Sequence, residues 1–352
     1  MAEKFLPFIN PFKRIESELR CQDHVWRQSL DPKQLISSVS LVLVVMLAST
    51  ACAPKAQNSN LNNATANSSF QVEAKTVRQQ ILEQLNITMI PSQDSEEQAQ
   101  KREQLADYLE ELLGIPVNFQ ISEDYDQAVD WLVEGKVEMA FLGPFAYVKA
   151  QQRNPQIEPI VAPIEKGTDQ PWYKSVIVVN GDSGINTVED LKGRNFSFVN
   201  QSSTSGYLVP SVHLKMVGID PEQDFVALQY AGSHNKNVEA LVTGKVEAIT
   251  INQPTYLNAL EAGKLPADQY KLIWESDPIP NAPVVISSQL SPQLKTDLQK
   301  ALIDAPKDLV AVSGAKSDGY TLVQDEDYDP IRKLQQFMEP ESASSNSVGR
   351  SN

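Results

Sequence analysis

The sequence predicts an α/β protein of two similar lobes, each a mixed sheet flanked by helices, with a ligand cleft where the lobes meet at a hinge. Two observations predict it. Short apolar runs alternate with helical patterns: NITMI at 86–90, a helix over 95–113, PVNFQI at 116–121, DYDQAVDWLVEGK at 124–136 and VEMAFL at 137–142. Such alternation marks sheets with helices packed on them. In addition, WLVEGKVEMAFLG (131–143) and ALVTGKVEAITIN (240–252) align without a gap, position 131 on position 240, an offset of 109. Each copy reads as a helix, a glycine stop at Gly135 or Gly244, and a buried strand. Two copies imply two lobes built alike.

In chain order, the first 52 residues stand apart. A polar segment with Arg14, Arg20, Arg27 and Lys33 leads into LISSVSLVLVVMLASTAC at 35–52. Its apolar part, 39–48, falls short of the roughly 20 residues of a membrane span, and the small residues Ser49, Thr50 and Ala51 precede a cysteine. This layout resembles a bacterial lipoprotein signal with Cys52 as the lipidated first residue, although Ser49 stands where such signals usually carry leucine. The alternative is an uncleaved anchor helix, which gives nearly the same topology. Either way the expected location is the cell envelope, on the periplasmic or extracytoplasmic face, held to the membrane. Residues 53–70, APKAQNSNLNNATANSSF, read as a flexible tether, and 341–352 as a disordered tail. Between them, lobe one is expected over 71–179 and 280–340, and lobe two over 180–279. Two crossings between lobes make a hinge, and closure around a ligand is the motion it permits.

Composition narrows the function. A 352-residue chain that is 41% hydrophobic can bury a core for one large or two medium domains. Its formal net charge of −15 argues against nucleic acid as a partner, which needs clustered lysine and arginine. Removing residues 1–51, with six basic and five acidic side chains, takes the charge to −16. The two cysteines, Cys21 and Cys52, lie in or at the end of the presequence and leave none for disulfides, metal sites or thiol catalysis.

The site follows from the repeat. The 109-residue offset pairs Tyr125 with His234, each ahead of a helix, and pairs the turn IPSQDSEE (90–97) with VNQSSTSG (199–206). In open α/β sheets ligands sit outside the carboxyl ends of strands, so these four loops are expected to line the cleft. The lobe-two turn runs into a helix that contains Pro210, which is tolerated only near a helix start, so the helix is expected to begin near Gly206 or Tyr207. Ser203, Thr204 and Ser205 then cap it, and Gly206 lets the backbone approach whatever is bound. Hydroxyls, free amides and a helix N-terminus converge on a site for a compact tetrahedral oxyanion. Hydrogen bonds to charged groups contribute about 1.5–3 kcal/mol each, so neutral donors suffice on an acidic chain. The lobe-one turn, with Asp94, Glu96 and Glu97, cannot play this part. STSG alone is also what an ordinary helix cap looks like, and it lacks the GxxxxGK[ST] of a nucleotide loop. Imidazolium at His234 would add one switchable positive charge. His213, inside the helix, reads as packing.

STSGYLVP (203–210), DY (124–125), LGPFAYVKA (142–150), WYKSVIVVN (172–180), AGSHN (231–235) and DEDYDPIRKL (325–334) together resemble the phosphonate/phosphite/phosphate solute-binding proteins of ABC transporters, in order and spacing from about 86 to 338. The resemblance implies a type II periplasmic-binding fold, a monomer that binds without catalysis or cofactor, and an ABC permease and ATPase as partners. It implies ligand contacts at Ser203, Thr204, Ser205, Tyr125, Tyr173 and His234, beside the Gly206 that the turn itself suggests. Where aminoalkylphosphonate binders of the family carry acids, this chain has Ala282 and, near NQPTY (252–256), no acid. The implied ligand is therefore amine-free: phosphite, phosphate or a short alkylphosphonate, with Asn252 as a substitute acceptor. Other oxyanions such as sulfonate or sulfate, and a sensory role, keep the same fold. An envelope phosphoesterase would need metal ligands or an activated nucleophile, and the sequence offers no such constellation.

Overall fold

The computed structural model describes residues 82–91, 96–287, 289–310, 314 and 316–339. The expected lipid site Cys52, the tether and the tail lie outside the described residues. The first half of the chain forms β1 (Leu85–Met89), α1 (Glu96–Leu113), β2 (Val117–Ile121), α2 (Tyr125–Val133), β3 (Met139–Phe141), α3 (Pro144–Arg153), β4 (Glu158–Glu165) and β5 (Trp172–Tyr173). Next come β6 (Ser175–Asn180), β7 (Asn195–Phe198), a π-helical turn (Thr204–Leu208) that runs into α4 (Val209–Met216), α5 (Pro221–Asp224), β8 (Ala227–Tyr230), α6 (His234–Val242) and β9 (Ala248–Asn252). The remainder is α7 (Gln253–Glu261), β10 (Tyr270–Glu275), β11 (Ile279–Pro280), β12 (Val284–Ile286), α8 (Pro292–Ile303), β13 (Ser317–Leu322) and α9 (Asp329–Met338).

Two main sheets result, in the orders β13-β4-β12-β3-β1-β2 and β10-β6-β9-β7-β8. Without β13 the two have the same plan. The strand that opens each repeat pairs parallel with both neighbours, β1 with β2 and β3, and β7 with β8 and β9. Beyond β3 and β9 the next strands, β12 and β6, run antiparallel. The offset of 109 found over 13 residues carries through the elements: it takes the first residues of α2, β3 and α3 onto those of α6, β9 and α7. Gly135 and Gly244, with φ of 70° and 68°, end the repeat helices in the left-handed conformation that glycine adopts without strain.

The lobe boundary falls earlier than the sequence suggested. β6 belongs to the second sheet, so the chain has crossed by residue 175 rather than 180. The run VIVV at 176–179 is apolar throughout because both faces are covered: Val176 and Val178 pack on one side with Ile249 and Ile251, and Ile177 and Val179 on the other with Phe196 and Phe198. Such a run does not reveal which sheet it joins. The two crossing strands pair with each other, Tyr173 opposite Ile279 and Trp172 opposite Pro280. The first lobe has its own core around Leu85, Ile87, Leu105, Leu109, Leu298 and Leu302. Helix α9 packs against both α3 of the first lobe and α4 of the second. There the Lys215 ammonium donates to the Phe337 carbonyl at 3.2 Å and lies over its ring.

Candidate functional site

The hydroxyl turn is built around its proline. Ser203 is the helix cap: its backbone is extended (φ −80°, ψ 133°) and its Oγ accepts from the Gly206 amide at 3.1 Å. The helix thus starts at Thr204, two residues before the expected point, because the first turn is wound wide. The Leu208 amide donates five residues back to the Ser203 carbonyl at 3.0 Å, and Val209 likewise to Thr204. Pro210 has no N–H for the carbonyls four and five residues behind it. Both have other donors: Ser205 O accepts from Ser175 Oγ at 2.6 Å, and Gly206 O from Thr250 Oγ1 at 2.8 Å and the Val199 amide at 3.0 Å. Hydroxyls of β6 and β9 therefore replace what the proline removes.

Gly206 has a different role from the one expected. It does not line the cavity. A Cβ there would come within 2.3 Å of Val199 Cγ2 and 2.8 Å of Ser203 Oγ, so the missing side chain permits packing onto the strand end rather than access for a ligand.

The other seven expected contact residues line one cavity of about 110 Å³. Ser203, Thr204 and Ser205, each at most 2% exposed, meet His234 and Asn252 from the same lobe. Tyr125 comes from the first residue of α2, held by the cap from the Gln127 amide to Asp124 Oδ1 at 2.7 Å, and Tyr173 from the crossing strand β5. Burial pushes the Tyr125 phenol far up, against a smaller opposing effect of the Ser203 hydroxyl. Burial also pushes Tyr173 to about 12, opposed by the Ser205 and Thr204 hydroxyls. Both phenols are therefore neutral donors at physiological pH.

His234 is not the switchable cation expected. Its Nδ1 accepts the Asn252 backbone amide at 3.1 Å, which places the ring proton on Nε2. His234 borders the cavity, and desolvation depresses its pKa to about 3. His234 is a neutral N–H donor. Asn252 caps α7 through Oδ1, which accepts from the Thr255 amide at 2.7 Å. One lone pair of that oxygen is thereby engaged and the second remains to accept. His213 stacks on Trp274 at 4.4 Å, as a packing residue does.

Three contacts between lobes escaped the sequence reading. Helix α3 has Gly143 as its cap, with no side chain to offer, and its Phe145 amide donates instead to Thr204 Oγ1 across the cleft at 2.8 Å. The legible signal was LGPF, a helix start marked by proline at its first position with a cap that cannot cap. Ser202 Oγ donates to Asp126 Oδ1 at 2.7 Å, and the Lys149 ammonium reaches Ser202 Oγ and Gln201 O, each at 3.1 Å. The cavity is also lined by the apolar side chains of Met89, Ile90, Phe141, Leu142 and Val310, and no periodicity in the sequence singled these out. Among the described residues no cluster of histidine, cysteine and acidic side chains could hold a metal ion, and no helix is long and apolar enough to cross a membrane.

Residues 87–328 match the family model described as ABC transporter, phosphonate, periplasmic substrate-binding protein. The chain is 27% identical over 272 residues to the phosphate-import protein PhnD of Mycolicibacterium smegmatis, covering 72% of this chain and 85% of that one. It is 28% identical over 246 residues to the phosphonates-binding periplasmic protein of Escherichia coli, covering 68% and 72%. Among solved structures, the binding-protein component of an ABC phosphonate transporter from Pseudomonas aeruginosa superposes with a TM-score of 0.66 at 25% identity, covering 76% of this chain and 90% of the other. With the family model spanning both lobes and the cavity between them, the chain belongs to the periplasmic substrate-binding proteins of phosphonate ABC transporters.

Proposed function

We propose that the protein captures a small, amine-free phosphorus oxyanion, a phosphite, phosphate or short alkylphosphonate, and delivers it to an ABC permease and ATPase. It acts as a monomer, held at the extracytoplasmic face through a lipid on Cys52, and binds its ligand without turnover. The observation that carries this reading is the buried Ser203–Thr204–Ser205 turn at the start of a helical segment, facing Tyr125 of the other lobe and Tyr173 of the crossing strand across one small cavity. The hydroxyls, the first-turn amides of Thr204 and Ser205 and the ring N–H of His234 supply donors to the oxygens of one tetrahedral anion. Ala282 lines the same cavity, and no acidic residue is among its described lining residues, so a ligand ammonium would be enclosed without a counter-charge.

The test is calorimetry of the full chain in detergent micelles against phosphite, phosphate, methylphosphonate, 2-aminoethylphosphonate and sulfate. Tight binding of at least one amine-free phosphorus anion, lost in the Ser203→Ala/Thr204→Ala/Ser205→Ala triple variant, is expected. Tight binding of 2-aminoethylphosphonate alone, or an intact Kd in the triple variant, would refute it. Sustained release of chromophore from a phosphomonoester would refute the binding-only role.

A further inference from the structure

Thr255, Asn258 and Gly314 line the cavity and also line a second, far wider space, a groove of about 1010 Å³ between the lobes. Glu97, Gln98 and Lys101 of α1 bound the groove on the first-lobe side, together with Lys316, the residue before β13. On the second-lobe side it is bounded by α6, α7 and the segment that leads from α7 to β10. At the boundary that the two spaces share, the Asn258 side-chain amide donates to the Gly314 carbonyl across the lobes at 2.7 Å, so parting the lobes joins cavity and groove. Elsewhere the lobes already touch, Thr204 with Phe145 and Ser202 with Asp126. The groove is where they stand apart.

Charge distinguishes the two spaces. The described lining of the cavity includes no lysine, arginine, aspartate or glutamate, whereas the groove is lined by four lysines, Lys101, Lys236, Lys264 and Lys316, against two glutamates, Glu97 and Glu239. This is a local positive excess on a chain whose formal net charge is −15. Two of the lysines are neutralised, Lys101 by Glu97 at 2.8 Å and Lys316 by Glu261 at the end of α7. Lys236 and Lys264 are exposed and have no ion-pair partner among the described residues. Glu239, one turn along α6 from Lys236, offsets part of their charge.

We propose that the groove is the entrance to the anion cavity, and that Lys236 and Lys264 set how fast an anion enters without touching it once it is bound. The inference rests on the reading of the site as a phosphorus-oxyanion pocket and adds the route into it and the residues that set the rate. A dianion approaching this acidic molecule is repelled by its net charge, and a pair of free ammoniums at the mouth reverses that field locally. Both are solvated, so the pull is modest and salt removes it. For a dianion about 10 Å from the two ammoniums, the local concentration rises about sevenfold at 10 mM salt, about twofold at 0.15 M and not measurably at 1 M. Charges at a rim act on association and its salt dependence rather than on dissociation. Arrival and retention are thus divided between lysines outside the cavity and neutral donors inside it.

The test uses the full chain in micelles of a nonionic detergent, with radiolabelled phosphate and methylphosphonate as probes. Equilibrium dialysis gives Kd, a chase with excess unlabelled ligand gives koff, and koff divided by Kd gives kon. Lys236→Gln/Lys264→Gln is expected to lower kon about 5- to 10-fold at 10 mM salt, about twofold at 0.15 M and not at 1 M, with koff within about twofold of the parent. Lys236→Arg/Lys264→Arg, which keeps both charges, should retain the parent kon. Both side chains are exposed, so neither double variant should move the melting temperature. An unchanged kon at low salt, a loss that persists at high salt, a matching rise in koff, or an arginine variant as slow as the glutamine one would overturn the entrance while leaving the pocket assignment intact. Failure of the parent to bind phosphate, phosphite or methylphosphonate at any salt concentration would overturn the pocket assignment itself.

Discussion

Thr204→Val is the most direct probe of how the site works, because valine keeps the shape of threonine and removes only the hydroxyl. That hydroxyl has two tasks. Its oxygen accepts the Phe145 amide of the opposite lobe at 2.8 Å, and its hydrogen faces the cavity in the proposed binding mode. Leaving the amide buried without a partner costs about 1–3 kcal/mol, and losing one donor to an anion costs about 1.5–3 kcal/mol. Together these are about 2.5–6 kcal/mol, or about 10² to 10⁴ in Kd. The cost falls on the closed, liganded state, since in an open cleft water pairs with the Phe145 amide. The melting temperature without ligand should therefore change little, while the rise on adding saturating phosphite or methylphosphonate should shrink sharply. Thr204→Ser, which keeps the hydroxyl, should bind within about tenfold of the parent. Calorimetry and thermal melting on the three proteins decide the matter. A Kd for Thr204→Val within threefold of the parent, or a serine variant as weak as the valine one, would refute the reasoning.

Three further outcomes follow from the same geometry. Ser202→Ala severs its bonds to Asp126 and Lys149, whose charges can regain water, and should weaken ligand binding by about three- to tenfold; unchanged calorimetry would refute a role in closure. His234 is depressed from 6.5 to about 3, so its contribution is fully present above pH 6.5 and is lost as pH falls, because the unfolded chain takes up the proton first. Chemical denaturation without ligand should lose about 1.4 kcal/mol per pH unit from this group between about 6 and 4, a slope that His234→Gln should remove. Gly206→Ala forces a methyl against Val199 and should cost about 1–3 kcal/mol, seen as a lower melting temperature without ligand.

The parts of the molecule legible in the sequence were those written in local pattern or in repetition. Helix and strand periods gave the α/β class, and the copy of G-K-V-E at 135–138 and 244–247 gave two lobes and the equivalence of Tyr125 and His234. Ser203 was legible as a cap because hydroxyl caps are chosen by local backbone chemistry. What was missed depends on partners far along the chain. The wide first turn at Thr204 holds because Ser175 and Thr250 stand ready to pair with its carbonyls, 30 and 44 residues from them in sequence. The place of β6 was hidden because a strand buried on both faces reads the same in either sheet. The neutrality of His234 follows from its desolvation in the fold, and its tautomer from one amide, that of Asn252, whose position only the folded sheet fixes.

A pocket with no lysine or arginine among its described lining residues suits a protein that must close on its ligand and later release it. A lysine would attract an anion over a screening length of about 8 Å, from one lobe alone and in the open state. Neutral hydrogen bonds act only near 3 Å, so donors in one lobe gain little until the other lobe completes the enclosure. Here the donors are divided: Ser203, Thr204, Ser205 and His234 on one side, Tyr125 on the other, and Tyr173 on the strand that joins them. Thr204 links the halves directly, since the oxygen that accepts from Phe145 belongs to a hydroxyl bordering the cavity. When that hydroxyl donates to an anion, its oxygen becomes a better acceptor for the opposite lobe, so ligand capture and lobe closure strengthen each other through one atom.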